Sequence, residues 1–228
     1  MFWKIVTSAV FAGACAGLLA AALQLSFVRP LLLHAELYES GALVHFGAAP
    51  VSASPDLPGL DLVRDGLSVL FSLLVYVGYA LVLVAAMSVA DERGIRINAR
   101  RGMLWGLAGF VAFQLAPAFS LAPEVPGMAA ADLASRQIWW WATAAASAAA
   151  LAFFAFGRGW PAWAAGTVLI LAPHVIGAPE PDQFTGPVPP EISALFASRA
   201  LGVGFAVWAV LGLLAGHFWQ RAQAGAGR

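Results

Sequence analysis

Residues 5–28 read IVTSAVFAGACAGLLAAALQLSFV, 24 positions without a charge. About 20 apolar residues are enough for a helix to cross the hydrocarbon core of a bilayer. The run is too long, and too rarely alternating, for a strand of a membrane barrel. It is also too long for the apolar part of a signal peptide, which covers about 7–15 residues. The leader MFWK (1–4) therefore introduces a first membrane span, retained in the mature protein and closing at Arg29–Pro30.

The rest of the chain repeats this pattern. Charge-free runs at 66–90, 102–123, 137–157, 159–179 and 200–220 raise the expected number of spans to six, the first being 5–28. Only 11% of the 228 residues are charged, where a soluble domain carries roughly 25%. Too little polar surface remains to cover a water-soluble globule. The expected fold class is all-α: a polytopic integral membrane protein whose residues 1–228 form a single membrane domain. The one cysteine, Cys15, lies inside the first span, which excludes a disulfide framework and a cysteine metal site.

Six spans place both termini on one side. That side holds Lys4, Arg93, Arg96, Arg100, Arg101, Arg158, Arg221 and Arg228 against two acids, Asp91 and Glu92. The other side holds Arg29, Arg64, Arg136 and Arg199 with the remaining ten acids. Lys and Arg near span ends favour the cytoplasm, so both termini are expected inside. The outer face is then acidic and attracts cations. Trp3, the Trp139–Trp140–Trp141 triplet, Trp160 and Trp219 fall near span ends, where such rings act as interfacial anchors.

Two segments resemble each other. LAPAFSLAPEVP (115–126) ends the third span and LAPHVIGAPEPD (171–182) ends the fifth. The triplet ASR opens the fourth span at 134–136 and the sixth at 197–199, and Val63–Arg64–Asp65 opens the second. These matches suggest three similar hairpins of like orientation, spans 1–2, 3–4 and 5–6. Pro117 and Pro173 each remove an N–H and crowd the carbonyl four residues back. Both helices are expected to kink or end early at matching depths. Proline-interrupted segments in corresponding positions point to a transport site, although a packing kink reads the same way. Gly13-x-x-x-Gly17, Gly102-x-x-x-Gly106 and Gly212-x-x-x-Gly216 mark close helix contacts, within the chain or between copies of it.

Chemistry-bearing residues are few. PLLLHAELYESGALVHF (30–46) offers His34, Glu36, Glu39 and His45. Imidazole and carboxylate suit divalent transition metals. On a helix Glu36 and Glu39 share a face while His34 and Glu36 point apart, so one regular helix cannot present all the ligands. Its spaced leucines give the segment equally the look of an interfacial helix. His174 lies inside a span near the outer boundary, where an ionisable group is costly and faces a cavity or a partner. Together with Glu180 on the same side, it completes the candidate metal-binding set. Gln24 and Gln114 are candidate inter-helix hydrogen-bonders. No P-loop, HExxH or GxSxG is present, so no enzyme is indicated. The basic loop 91–102 is sufficiently explained as an orientation signal, with no nucleic-acid partner.

The opening MFWKIVTSAVFAGACAGLLAAALQLSFVRPLLLHAELYE, the ASRQIWW segment and PHVIGAPEP together resemble the CbtA family of predicted cobalt transporter subunits. The resemblance implies a bacterial inner-membrane protein that takes up cobalt for cobalamin synthesis. It also implies a small single-span companion, CbtB-like, with a histidine-rich end. His34, Glu36, Glu39 and His174 lie in the matching segments; His45 and Glu180 come from the residues alone. Co²⁺ or Ni²⁺ would be the transported ion, with no permanently bound cofactor, and the lipid bilayer or a second copy of the chain the other partners. Two further functions fit the composition: a non-transporting scaffold or assembly subunit, and a membrane redox protein holding haem through outer histidines.

Overall fold

The computed structural model describes residues 1–45 and 52–224. Phe46 of the candidate segment and Arg228 of the charge count lie outside the described residues. Six helices are long and apolar enough to cross a membrane: α1 Phe2–Glu39, α2 Leu62–Glu92, α3 Ala99–Ser120, α4 Leu133–Phe156, α5 Gly159–Ile176 and α6 Pro190–Ala224. No strand occurs among the described residues.

Proline does not end α1 or α3, and the reason is local. In both, a five-residue π-helical turn precedes the proline: Gln24–Val28 before Arg29–Pro30, and Val111–Leu115 before Ala116–Pro117. A π-helical turn holds one residue more than an α-turn, and the wider loop makes room for the ring that would otherwise crowd the preceding carbonyl. The chain passes Pro30 and stays helical to Glu39. The helix therefore continues through Arg29–Pro30, where charge alone suggested a stop. Beyond it, Leu31, Leu33, His34, Ala35 and Tyr38 are buried, so this stretch packs into protein and is no exposed surface helix. In α5, Pro173 sits one turn before the end, and Gly177, with a positive φ of 93°, closes the helix.

The chain divides into two compact units. The first comprises residues 1–25, 60–110 and 202–228. Its core is built by glycine. A Cβ added to Gly13 or Gly17 of α1 would strike the α2 backbone at Val77 or Leu73. Gly102 and Gly106 of α3 meet Gly212 and Gly216 of α6 in the same manner, backbone against backbone. The three Gly-x-x-x-Gly motifs therefore serve contacts within the chain, where small residues let helix axes approach. Trp219 is buried and donates its indole N–H to Asp91 at 3.2 Å, so it is a packing residue and not an anchor. Asp91 also accepts from Gln223, whose amide oxygen accepts from Lys4 at 2.8 Å.

The second unit comprises residues 26–59 and 111–201. Here α4 and α5 pack as neighbours, joined by a turn that needs Gly159 at φ +72°. Ala35 and Tyr38 of α1 pack with Val125, Val188 and Ile192, which come from the loops and the start of α6. Trp139 is also buried and donates to the Pro173 carbonyl at 3.2 Å, while Trp141 is exposed. Only one of these two can therefore be an interfacial anchor. The Arg136 guanidinium pairs with Glu124 at 2.8 Å, and Arg199 donates to the Phe27 carbonyl in the π-helical turn of α1 at 3.2 Å. Backbone carbonyls released at such a turn need donors of this kind.

Asp132 caps α4, accepting from the Ser135 N–H at 2.9 Å and its hydroxyl at 3.0 Å. Those bonds hold its carboxyl below the ordinary carboxylate range. A depressed folded value means that the stabilisation is complete above the ordinary value and is lost as pH falls through the lowered one. The protection of the amides in the first turn of α4, measured against their intrinsic exchange rates, is expected to fall on that acidification. Asp132→Asn, which keeps the capping oxygen without the titration, should remove that pH dependence of the protection.

Candidate functional site

All six candidate ligands belong to the second unit, and the structure gives each a definite place. His34 lies four residues beyond Pro30, on the buried face of α1. Its ring stacks on Tyr38 one helical turn later, with centroids 5.5 Å apart and planes at 30°. Its Nε2 is buried and has no hydrogen-bond partner among the described residues. A buried polar atom left unpaired costs about 1–3 kcal/mol, so a native example asks for an explanation. His45 meets the other side of the story: its ring stands edge-on to Tyr38, centroids 6.5 Å apart. One tyrosine thus carries both imidazoles of the 30–46 segment.

The carboxylates are more open. Glu36 is half-buried and Glu39 is exposed, on the shared face expected from their spacing. The Cβ and Cγ of Glu39 lie 3.1 Å from where a Cβ on Gly127 would sit, so its stem rests on the α3–α4 loop. Glu180 is exposed in the segment after α5. Glu124 is taken up by its ion pair with Arg136.

His174 has different company. Its Nδ1 lies 2.9 Å from the Ser120 hydroxyl at the end of α3. Phe119 and Trp139 stand edge-to-face to the ring at 5.1 Å and 6.0 Å. Beside it, Ser135, Ile138, Trp139, Ala142, Pro173 and Ile176 line a shallow, mostly apolar groove between α4 and α5. Among the described residues no three His, Cys, Asp or Glu side chains gather into a metal-holding group. The structure therefore brings His34 and His45 to one tyrosine and gives His174 a separate setting.

Two participants escape sequence reasoning. Tyr38 was within reach, since a residue four positions after His34 shares its helical face. Ser120 carries no signal, because its bond to His174 spans 54 positions. Gln114, named above as a candidate inter-helix hydrogen-bonder, lies in the π-helical turn of α3 with its Oε1 buried and without a partner among the described residues.

Six apolar membrane-length helices among the described residues, two of them carrying π-helical turns ahead of a proline, define a polytopic helical membrane protein. The chain belongs to the CbtA family: the family model, described as a probable cobalt transporter subunit, matches residues 2–220. No curated protein and no solved structure matches it.

Proposed function

We propose that the chain is the membrane-embedded subunit of a cobalt uptake transporter in the bacterial inner membrane, feeding cobalamin synthesis. The observation that carries this reading is the family match across residues 2–220. The backbone adds support. Proline-interrupted helices in corresponding positions are the usual mark of a transport path, and α1 and α3 share the same interruption, down to the single residue between π-helical turn and proline. The charge split favours cytoplasmic termini with the acidic loops outside, and the LAP and ASR matches favour three hairpins of like orientation.

In this reading Co²⁺, or Ni²⁺, is cargo. The unpaired Nε2 of His34 offers a lone pair to the ion as it sheds water, with His45 across Tyr38. Glu36 and Glu39 draw the cation to that end of α1, Glu180 adds to the same negative field, and His174 provides a second imidazole. A few ligands at each place suit a cargo that must leave again, since conduction needs binding weak enough for release. The companion is a small single-span subunit with a histidine-rich end.

The test is uptake in vesicles containing the purified protein, with and without that companion, using external ⁵⁷Co²⁺. Accumulation above empty vesicles that depends on this chain is the expected result. Equal accumulation by the companion alone would make the chain a scaffold and overturn the proposal.

A further inference from the structure

The geometry points to Ser120 as the positioning residue that orients His174 toward a divalent cation. This rests on the proposed role of His174 as a cargo ligand and adds a residue that the candidate set lacks. Imidazole has two nitrogens, and the hydrogen bond at one determines which tautomer the other presents. Here Ser120 Oγ lies 2.9 Å from Nδ1. No hydrogen bond occupies Nε2 among the described residues. A cation held by Nε2 leaves the ring proton on Nδ1, and the serine oxygen is placed to accept it. A histidine that ligates a metal commonly donates its second N–H to such an oxygen, and loss of the acceptor weakens the metal 10–100-fold.

The surroundings hold the ring in this orientation. Phe119, the residue before Ser120, stands edge-to-face to the imidazole at an interplanar angle of 72°. Trp139 stands against it at 66° and is itself fixed by its bond to the Pro173 carbonyl. Rotation of the ring about its stem would break the Ser120 bond. The imidazole therefore has one nitrogen committed and one open. Both partners come from the proline-bearing ends of their helices: Ser120 is three residues past Pro117, and His174 directly follows Pro173. The contact thus ties the proline-bearing end of α3 to that of α5 through a group able to take a cation.

The test uses the purified full-length protein in detergent, as wild type, Ser120→Ala, Ser120→Thr and His174→Ala. Co²⁺ affinity is measured by calorimetry, and the His174 tautomer by ¹⁵N NMR of histidine-labelled protein loaded with diamagnetic Zn²⁺. Ser120→Ala should weaken Co²⁺ at least tenfold at an unchanged melting temperature, while Ser120→Thr, which keeps the hydroxyl, binds as wild type. The loaded wild type should carry the His174 proton on Nδ1. Weaker binding in His174→Ala with wild-type binding in Ser120→Ala would overturn the positioning role alone. Wild-type binding in His174→Ala would remove His174 from the metal reading itself. A proton on Nε2 in the loaded protein would contradict both.

Discussion

Leucine in place of Gly212 is expected to prevent stable assembly of the first unit. An added Cβ there collides with the Gly102 carbonyl oxygen and lies 2.6 Å from the Gly106 Cα and N. Both obstacles are main chain, so no flexible side chain can swing away. Overpacking a core typically costs 1–3 kcal/mol when side chains can adjust. Here the helices themselves must separate, which places the loss at about 3 kcal/mol or more, against a total stability of roughly 5–15 kcal/mol. The companion substitution is Gly202→Leu on the same helix, where an added Cβ meets nothing within 4 Å. Melting followed by gel filtration in mild detergent should show a large loss for Gly212→Leu and little change for Gly202→Leu. Equal melting of the two would mean that α3 and α6 are not held by glycine contact.

His34→Leu should separate stability from function. If the imidazole served packing alone, an apolar side chain of similar size would be the better occupant. Removing a buried, unpaired nitrogen relieves a cost of about 1–3 kcal/mol, and the leucine covers the same neighbours. Thermal stability is therefore expected to hold or rise. Cobalt uptake is expected to fall at least tenfold, in line with loss of one ligand bond, since 1.4 kcal/mol is a factor of ten. Uptake that survives in this stable variant would show that His34 does not touch the ion. Proteins commonly give up stability to keep a functional group in place, and His34 has the marks of such a group: buried, unsatisfied and next to irregular backbone.

Much of the fold was legible from composition. Each of the six membrane-length helices overlaps one charge-free run, because the absence of charge over some 20 residues is a global constraint of the bilayer. Helix ends were harder to read. Arg29–Pro30 looked like a stop because sequence shows the proline but not the extra residue absorbed upstream. Likewise α6 begins at Pro190, ten positions before the charge-free run, since Arg199 finds a backbone carbonyl and so costs little within a helix. The tryptophans mark a further limit. Trp139 and Trp219 sit near span ends as anchors do, yet their N–H groups are spent on Pro173 and Asp91. Composition places a ring along the chain but cannot say which way it turns.

For the candidate site, residue types were legible and groupings were not. His34 and His45 meet through Tyr38 because the chain doubles back after Glu39, which linear spacing does not disclose. LAPAFS and LAPHVI differ where Ala118 of one stands against His174 of the other. The structure shows the two copies touching, through Ser120 of one and His174 of the other.

The π-helical turns have a consequence for azimuth. An α-helix advances by about 100° per residue. One residue taken up by a wide turn shifts the facing of every later side chain on that helix by about that angle. Beyond Val28 this phase shift decides which way His34 looks, and beyond Leu115 it does the same for Ser120. The bearings of both groups are thus written in backbone insertions, each acting as a fixed rotation, and deleting one residue from either turn would leave the group downstream of it intact while aiming it elsewhere.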